Sequence, residues 1–315
     1  MQPVIEVKNL TKRYKNAQTN AVDDISFDVC AGEFFSLLGP NGAGKTTTIS
    51  ILTTTLSATS GQITVAGFDL AKEANSVRRS IGIIFQNPSI DLNLTAEENV
   101  RFHAILYGLY PFRPTFSMMP RQYRENVLQL AEVVGIQKDI FKQVRTFSGG
   151  MKRKLEIIRS LIHTPRVLFL DEPTSGLDPL SRRNLWEYLT SVRREHGTTI
   201  FLTTHYLEEA EEADSICIIN RGKIVSSGTP TQIKSDLVED YVAIDAANRD
   251  SLRTELATLG IPFKDEQGIR IDLNGKTAHE ILRAISTPLT QVFTHTPTLE
   301  DAYLEIVGAE IVGDQ

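Results

Sequence analysis

The sequence predicts an α/β fold over most of its 315 residues and a smaller α+β unit after it. A glycine-rich loop at 39–47 separates a strand-like apolar run from a helix-like pattern. Val167–Leu170 is fully apolar, which is typical of a parallel strand covered on both faces. Val4–Tyr14 and Ala21–Val29 alternate apolar and polar residues, which predicts a small antiparallel sheet beside the core.

Composition narrows the range of functions. With 41% hydrophobic residues, the chain can bury a sizeable core and form more than one domain. Its net charge of −6 disfavours nucleic acid as a partner. Cys30 and Cys217 lack metal-type spacing, so we expect inert thiols in a reducing cytosol. No apolar run approaches the roughly 20 residues that span a bilayer, and Met1-Gln2-Pro3 begins no signal pattern. We therefore expect a soluble chain that reaches a membrane through a partner.

The loop after the predicted strand Phe34–Leu38 matches the pattern G-x-x-x-x-G-K-[ST], and Thr46–Leu56 is predicted as the following helix. Its glycines allow backbone N–H groups to face a phosphate, and the helix N-terminus adds partial positive charge. Lys45 can reach the terminal phosphates, and the Thr46 hydroxyl can ligate Mg²⁺. We therefore predict a nucleoside triphosphate site made of Gly39, Pro40, Asn41, Gly42, Ala43, Gly44, Lys45, Thr46 and Thr47.

Two single residues have alternative interpretations at this stage. Tyr14 closes the first alternating strand, where a tyrosine is more often ordinary packing than a platform for an adenine ring. Gln86 follows the predicted strand Ile81–Phe85. It is either a polar loop residue or, beside a phosphate, a ligand of Mg²⁺ or an orienting group for water.

Residues 95–134 show helical spacing, with Thr95 as an N-cap. The segment Tyr110–Pro120 contains three prolines, which rule out a continuous helix. It also carries aromatic residues and methionines. This loop either folds back on its own helices or forms a docking surface.

A second phosphate-binding geometry is predicted at Ser148, Gly149 and Gly150. Ser148 can cap a helix that runs to about His163, and the two glycines leave backbone N–H groups open to an anion. The basic residues Lys152-Arg153-Lys154 are predicted to form a solvated helix face rather than a nucleic-acid patch.

Two acids and a histidine follow predicted buried strands. Asp171 and Glu172 come directly after Val167–Leu170, at the strand end where α/β sheets bind ligands. Asp171 suits a water-mediated hold on Mg²⁺, and Glu172 is placed to polarise an attacking water. His205 follows the predicted strand Thr199–Thr203 and can stabilise a γ-phosphate.

Together these segments resemble the ATP-binding subunit of an ABC transporter over residues 1 to about 230. The signature normally reads Leu-Ser-Gly-Gly-Gln, and it departs here at Phe147 and Met151. Methionine followed by Lys152-Arg153 is similar to the exporter branch that includes antibiotic-resistance and nodulation ATPases. The matching segments are the A-loop aromatic Tyr14, the Walker A loop Gly39–Thr47, Gln86 of the Q-loop, the signature Phe147–Met151, the Walker B strand Val167–Glu172, the D-loop Ser175–Asp178 and His205 of the H-loop.

The resemblance implies a P-loop ABC-type ATPase core with an antiparallel β subdomain and a helical subdomain inserted at about 90–163. It implies ATP and Mg²⁺ as cofactors, and it favours adenine stacking for Tyr14 and docking for Tyr110–Pro120. Glu172 and His205 would be catalytic. Thr46, Gln86 and Asp171 would hold the metal, and Asp178 and Ser148–Gly150 would contact the nucleotide.

The mechanism implied by the resemblance is a head-to-tail sandwich. Each ATP would lie between the Gly39–Thr47 loop of one subunit and Ser148–Gly150 of the other. The partners would be a second ATP-binding subunit, either a copy or a paralogue, and a separate transmembrane permease. The chain would act at the cytoplasmic face of the cell membrane, as the energy-coupling ATPase of an exporter.

Two other functions fit the sequence less well. A soluble ABC protein acting on ribosomes or nucleic acid usually carries two cassettes or a long coiled-coil insert, and the sequence shows neither. A P-loop kinase would need an acceptor site and gives no role to Ser148–Gly150.

The sequence changes character near residue 235, so we predict an ATP-binding domain at 1–235 and a small C-terminal α+β domain at 236–315. The second domain shows no nucleophile or glycine-rich loop. Pro297–Leu304 resembles the end of the accessory domain on drug-exporter ATPases, and this favours a regulatory or assembly module over a structural appendage. Strands are predicted at Tyr241–Asp245, Ile269–Leu273 and Gln291–Thr294, and helices at Ser251–Leu259, Thr277–Ile285 and Thr298–Val307.

Overall fold

The computed structural model describes residues 3–84, 90–174, 179–237, 240–265, 268–295 and 298–304. The chain divides into two compact units, Met1–Ser227 and Gly228–Gln315. The sequence places the domain boundary after residue 235, and that assignment stays a prediction. In the described ranges, no helix combines the length and the hydropathy that crossing a membrane requires.

The strands lie mainly where apolar runs or alternation predict them. In the described residues they are β1 (Pro3–Lys12), β2 (Val22–Cys30), β3 (Phe34–Leu38), β4 (Ser60–Val65), β5 (Phe68–Asp69), β6 (Ile81–Ile84), β7 (Val167–Asp171), β8 (Thr199–Thr204), β9 (Ser215–Asn220), β10 (Lys223–Gly228), β11 (Tyr241–Ala246), β12 (Lys264–Asp265), β13 (Ile269–Asp272) and β14 (Leu289–His295).

The helices include three short elements, α2, α7 and α8, that the sequence pattern does not predict. In the described residues they are α1 (Lys45–Leu52), α2 (Ala74–Ser80), α3 (Ala96–Leu106), α4 (Arg121–Val133), α5 (Gly149–Leu161), α6 (Pro179–His196), α7 (Leu207–Glu211), α8 (Pro230–Leu237), α9 (Arg249–Thr258) and α10 (Ala278–Ala284).

The core of the first unit is a six-stranded sheet in the order β10-β9-β3-β8-β7-β6. The pairs β3·β8, β3·β9, β7·β8 and β6·β7 are parallel, as the apolar runs predict. Because parallel strands end at the same edge of a sheet, the segments after β3, β7 and β8 lie side by side. The register pairs Leu38 with Thr204 and Asp171 with Thr203 at this edge.

A four-stranded antiparallel sheet, β2-β1-β4-β5, shares its hydrophobic core with the parallel sheet. Ile5 of β1 and Ile25 of β2 face inward and are fully buried, because alternate residues of each strand point to the core. The same core contains Cys217, and burial raises the pKa of its thiol to about 12, as expected for an inert cysteine.

The helical insert begins at α3, where Thr95 is the predicted N-cap and forms a capping box with Glu98. The helical pattern breaks after Leu106 and resumes at α4, directly after Pro120. In the core, α1 ends at Leu52, four residues before the predicted end at Leu56. The cause is local, since Thr54 has φ +63° and cannot continue a right-handed helix.

In the second unit, a four-stranded antiparallel sheet has the order β12-β13-β11-β14. The element sequence β11-α9-β12-β13-α10-β14 is the β-α-β-β-α-β arrangement of ferredoxin-like folds. Its core contains Val242 and Ile244 of β11 with Leu252 and Leu256 of α9. Residues 299–304 are helical, within the predicted helix Thr298–Val307.

Candidate active site

The loop after β3 has its shape fixed by close backbone contacts. A Cβ on Gly39 would lie 2.2 Å from the carbonyl oxygen of Ile219, and a Cβ on Gly44 would lie 2.6 Å from that of Ala21. Gly44 also has φ +112°, a conformation that glycine adopts without strain. The loop therefore lies directly on the end of β9 and on the residue before β2.

Lys45 folds its side chain back into this loop. Its Nζ donates hydrogen bonds to the carbonyl oxygens of Gly39 at 2.7 Å and Pro40 at 3.0 Å. The residue is 5% exposed, and burial lowers the pKa of its ammonium group. Glu172 Oε1 is 4.0 Å from Nζ, so this carboxylate compensates the buried charge only in part. The position suits a cation that binds an anionic ligand.

Asp171 lies at the C-terminal end of β7, as predicted. Thr203 of the adjacent strand donates a hydrogen bond from Oγ1 to Asp171 Oδ1 at 2.5 Å. Burial raises the pKa of the Asp171 carboxyl, and the bond from Thr203 opposes that rise. A buried carboxylate needs donors or a cation to offset its lost hydration, which makes this oxygen pair suitable for Mg²⁺.

Glu172 and His205 are brought together at the mouth of the loop. His205 Nδ1 lies 3.1 Å from Glu172 Oε1, the same oxygen that is 4.0 Å from Lys45 Nζ. The backbone of Glu172 has φ +46° and its N–H donates to the carbonyl oxygen of Thr203 at 3.0 Å. Two predicted residues, Lys45 at the start of α1 and His205 directly after β8, therefore lie beside one carboxylate oxygen of Glu172.

Tyr14 lies beside the first turn of α1. Its hydroxyl is 3.3 Å from Thr47 Oγ1, although the two residues are 33 positions apart. The side chain is 46% exposed, so it is not a buried packing residue. Lys12 Nζ lies 5.5 Å from the centroid of the ring. A half-exposed ring that is anchored at its hydroxyl can still offer its other face for stacking.

The second predicted phosphate-binding segment forms the start of α5. Ser148 Oγ accepts a hydrogen bond from the backbone N–H of Met151 at 3.2 Å, which confirms the predicted cap. A Cβ built on Gly149 would meet no described atom within 4 Å. Ser148 and Gly149 are both exposed, so the residues that the structure describes leave this helix N-terminus accessible. Gln86 and Asp178 lie outside the described residues, and their predicted roles stay predictions.

One prediction about the helix α5 is wrong. Arg153 is predicted to belong to a solvated face, but it is buried and donates from Nε to the carbonyl oxygen of Pro173 at 2.8 Å. It also pairs with Glu156 at 2.9 Å. The sequence signal is an acid three residues after the arginine, which is typical of a paired charge on one helix face.

Glu209 is a second residue near the site that sequence reasoning missed. The residue is 2% exposed, and its carboxylate accepts hydrogen bonds from the hydroxyls of Thr174 and Thr204. Thr174 follows Glu172 by two positions and Thr204 precedes His205. The buried carboxylate therefore connects the two segments that carry the Glu172–His205 pair.

The geometry fits a nucleoside triphosphate with Mg²⁺. The glycine loop, the buried Lys45 and the N-terminus of α1 would hold the phosphates. Mg²⁺ usually keeps several waters and binds one or two protein oxygens plus substrate phosphates. Thr46 and Asp171 can supply such oxygens. In the described part of the chain, no group of three or more His, Cys, Asp or Glu side chains forms a metal site.

Comparisons with known proteins agree with this site. Residues 22–175 match the ABC transporter family. The chain is 40% identical over 239 residues to the probable multidrug ABC transporter ATP-binding protein YbhF of Escherichia coli, covering 76% of this chain and 39% of YbhF. It is 34% identical over 325 residues to the Nod factor export ATP-binding protein I of Ralstonia nicotianae, covering 98% and 95% of the two chains. It is 38% identical over 262 residues to the daunorubicin/doxorubicin resistance ATP-binding protein DrrA of Streptomyces peucetius, covering 82% and 76%.

Solved structures of ATP-binding cassettes are also similar to this chain. An ATP-binding subunit of an ABC transporter superposes with a TM-score of 0.65 at 31% identity, covering 81% of this chain and 99% of that one. A dimeric post-hydrolysis state of the ATP-binding cassette MJ0796, bound to ADP and Pi, superposes with a TM-score of 0.64 at 26% identity, covering 71% and 98%.

The fold and the site define a P-loop nucleotide-binding protein. The chain belongs to the ABC transporter family of ATP-binding proteins, as the relatives that match it along nearly its whole length show. The predicted α/β P-loop fold and the predicted resemblance to exporter-branch ATP-binding proteins are confirmed. The chain spans about two fifths of the length of YbhF and most of the other two relatives.

Proposed function

We propose that the chain is the ATP-hydrolysing, energy-coupling subunit of an exporter. The observation that carries this proposal is the position of Glu172 Oε1, 3.1 Å from His205 Nδ1 and 4.0 Å from Lys45 Nζ. A carboxylate placed there can polarise an attacking water, while the histidine stabilises negative charge on the γ-phosphate. The relatives are named as multidrug transporter, Nod factor export and daunorubicin/doxorubicin resistance ATP-binding proteins. These names support the proposal that hydrolysis drives export.

The active form in this proposal is a head-to-tail pair of chains. The open surroundings of Gly149 support it, because the N-terminus of α5 has space for a ligand held by another chain. The dimeric state of the MJ0796 cassette supports it further. The second chain is a copy of this one or a close paralogue. Each ATP then contacts Gly39–Thr47 of one chain and Ser148–Gly150 of the other.

The remaining site residues receive roles within the same proposal. The half-exposed ring of Tyr14 stacks on adenine, supported by its anchorage to Thr47. Thr46, Gln86 and Asp171 hold Mg²⁺, which stabilises the charge on the phosphates when bound. Asp178 contacts the nucleotide from the segment after Glu172.

A separate transmembrane permease is the proposed partner, and it holds the chain at the cytoplasmic face of the cell membrane. The loop Tyr110–Pro120 combines both predicted interpretations. Met119 is buried, and the ring of Phe116 packs on Tyr123 with centroids 6.2 Å apart. Phe112 and Met118 are 61% and 56% exposed. We assign permease docking to these two exposed side chains.

The second unit is proposed to be a regulatory or assembly module. Its support is a separate hydrophobic core and the match of the Nod factor relative along nearly the whole chain. Action on ribosomes or nucleic acid is not favoured, because the net charge is −6 and the named relatives are transporter proteins.

The test of the proposed function is Glu172→Gln. We expect hydrolysis to fall by about 100-fold or more, since the carboxylate that activates water is removed while the shape of the site is kept. ATP should still bind, and the variant should form an ATP-dependent dimer in size-exclusion chromatography. Hydrolysis at the wild-type rate would remove Glu172 from the catalytic role. An ATP-binding chain that never dimerises would oppose the sandwich.

Docking is tested by a double variant, Phe112→Ser with Met118→Ser. We expect loss of co-purification with the permease and unchanged ATP hydrolysis by the isolated chain, because both side chains lie outside the catalytic site. Val133→Ser is the matched control, since Val133 is 51% exposed on α4 of the same insert. Normal co-purification of the double variant would favour a loop that serves only its own helices.

A further inference from the structure

Arg153 connects the helix α5 to the backbone of the catalytic segment. Its guanidinium Nε donates to the carbonyl oxygen of Pro173 at 2.8 Å. One terminal nitrogen also lies 3.5 Å from the carbonyl oxygen of Asp171 and 3.4 Å from that of Glu172. One side chain therefore reaches three consecutive carbonyl groups, and the middle one belongs to Glu172.

The backbone at Glu172 needs such support. Its φ of +46° is a left-handed conformation, which costs a residue with a side chain about 1–2 kcal/mol. On one side the N–H of Glu172 is held by the carbonyl oxygen of Thr203 at 3.0 Å. On the other side its carbonyl group faces the guanidinium of Arg153. The two contacts fix the direction in which the carboxylate leaves the chain.

The chemistry of the contact requires arginine. A guanidinium is a planar fork with five N–H donors, whereas an ammonium is a compact charge that cannot reach three separated acceptors in one plane. The charge of Arg153 is only 6% exposed, and it is balanced by Glu156 at 2.9 Å on the next turn of α5. The acceptors are neutral carbonyl groups, so Arg153 takes no part in proton transfer.

We propose that Arg153 is a positioning residue that holds the Glu172 carboxylate beside His205 and Lys45. This inference rests on the proposed hydrolysis of ATP. With this assignment, the helix α5 serves two ATP sites. The N-terminus of α5 carries Ser148 and Gly149, which face the ATP of the other chain, and one turn later the same helix holds the base of its own site.

The first test compares Arg153→Lys with the wild-type chain in steady-state hydrolysis. We expect kcat to fall by about 10- to 100-fold, because a small displacement of a catalytic group has effects of this size. The KM for ATP should stay within about twofold, since no phosphate contact is lost. Arg101→Lys is the matched control. Arg101 is another buried arginine of the helical insert, paired with Glu97 and donating to a backbone carbonyl at 3.1 Å.

The second test places Arg153→Lys in the Glu172→Gln background and measures ATP-dependent dimer formation. If Arg153 acts only through the carboxylate, the double variant forms the dimer at the same ATP concentration as Glu172→Gln alone. Loss of the dimer would show that Arg153 supports the N-terminus of α5 instead, and it would overturn the assignment. An unchanged kcat for Arg153→Lys would overturn it as well.

Glu156→Gln gives an independent variant if Arg153→Lys does not fold, as judged by its thermal unfolding. Removing the carboxylate that orients the guanidinium should lower kcat by about 3- to 10-fold with little change in KM. An unchanged kcat for this variant would also count against the assignment. A wild-type chain that does not hydrolyse ATP would refute the proposed function, whereas an active wild type with an active Arg153→Lys variant refutes the positioning role alone.

Discussion

The N-termini of α1 and α5 differ in how much of a phosphate site each one carries. Before α1, Gly39 lies against the backbone of Ile219 in β9 and Gly44 against that of Ala21, and Lys45 is buried with its Nζ 4.0 Å from Glu172 Oε1. Before α5, Ser148 caps the helix, and a Cβ on Gly149 would meet no described atom within 4 Å. The first end is built into the core of its own chain, and the second faces outward.

This difference explains why one chain carries two phosphate-binding geometries. We expect the end of α1 to hold a nucleotide by itself, because Lys45 and Glu172 are already in place there. The end of α5 offers backbone N–H donors and space for a ligand. In the described residues, the contacts of Ser148 and Gly149 include no buried cation. It suits an ATP that a second chain already holds.

The largest effect in this comparison should come from Lys45→Ala. Removing a buried cation that faces the phosphates should weaken ATP binding by about 100-fold or more. Calorimetry on the isolated chain measures this, with an exposed lysine such as Lys72 changed to Ala as the control. A variant that keeps normal affinity would contradict the view that the α1 end carries the nucleotide alone.

The next effect is a contrast between two glycine substitutions. Gly39→Ala forces a Cβ against a carbonyl oxygen at 2.2 Å, so we expect a loss of about 2 kcal/mol. The corresponding fall in the Tm of the first unit is about 4–8 °C. Gly149→Ala places its Cβ in open space, so the Tm of the isolated chain should stay within about 1 °C. The Gly149→Ala variant should be defective only in forming the ATP-dependent dimer. Equal thermal losses for both variants would remove the distinction between the two ends.

A smaller effect is expected from Ser148→Ala. The lost cap should reduce stability by about 1 kcal/mol. Hydrolysis should fall by about 10-fold, because one donor to the phosphate of the other chain is removed. Binding of ATP to the isolated chain should change by less than about twofold. A complete loss of ATP binding would place Ser148 in the site of its own chain.

Much of the fold and the centre of the site could be predicted because the signals are local. Val167–Leu170 is apolar at every position, and the structure makes it part of the central strand β7. The positions of Glu172 and His205 then follow, since each comes directly after a parallel strand and these strand ends share one edge. Lys45 follows from the loop pattern, because it begins the helix that comes after β3. The capping box at Thr95 is another local signal that the structure confirms.

The supporting residues could not be predicted, because their surroundings come from distant parts of the chain. Arg153 looks solvated among neighbouring lysines, yet the carbonyl groups that bury it lie 18 to 20 positions away. Glu209 lies in an acidic stretch typical of an exposed helix, and its partner Thr174 is 35 positions away. The helix α2 was missed because it buries only Val77 and shows no apolar periodicity.

In the proposed dimer two chains complete one ATP site, and mixing two inactive variants tests this most directly. Lys45→Ala disables the phosphate site at the N-terminus of α1 in one variant. Ser148→Arg blocks the phosphate site at the N-terminus of α5 in the other variant. In a mixed dimer, the intact α1 end of the second variant meets the intact α5 end of the first. The test uses a wild-type chain that hydrolyses ATP without a paralogue and forms an ATP-dependent dimer in size-exclusion chromatography.

Under this account each variant alone is inactive, and an equal mixture regains up to about one quarter of wild-type hydrolysis. Half of randomly formed dimers are mixed, and each of these has one intact site out of two. If both ends served a single chain, the mixture would stay as inactive as its components, and the two-chain site would be contradicted.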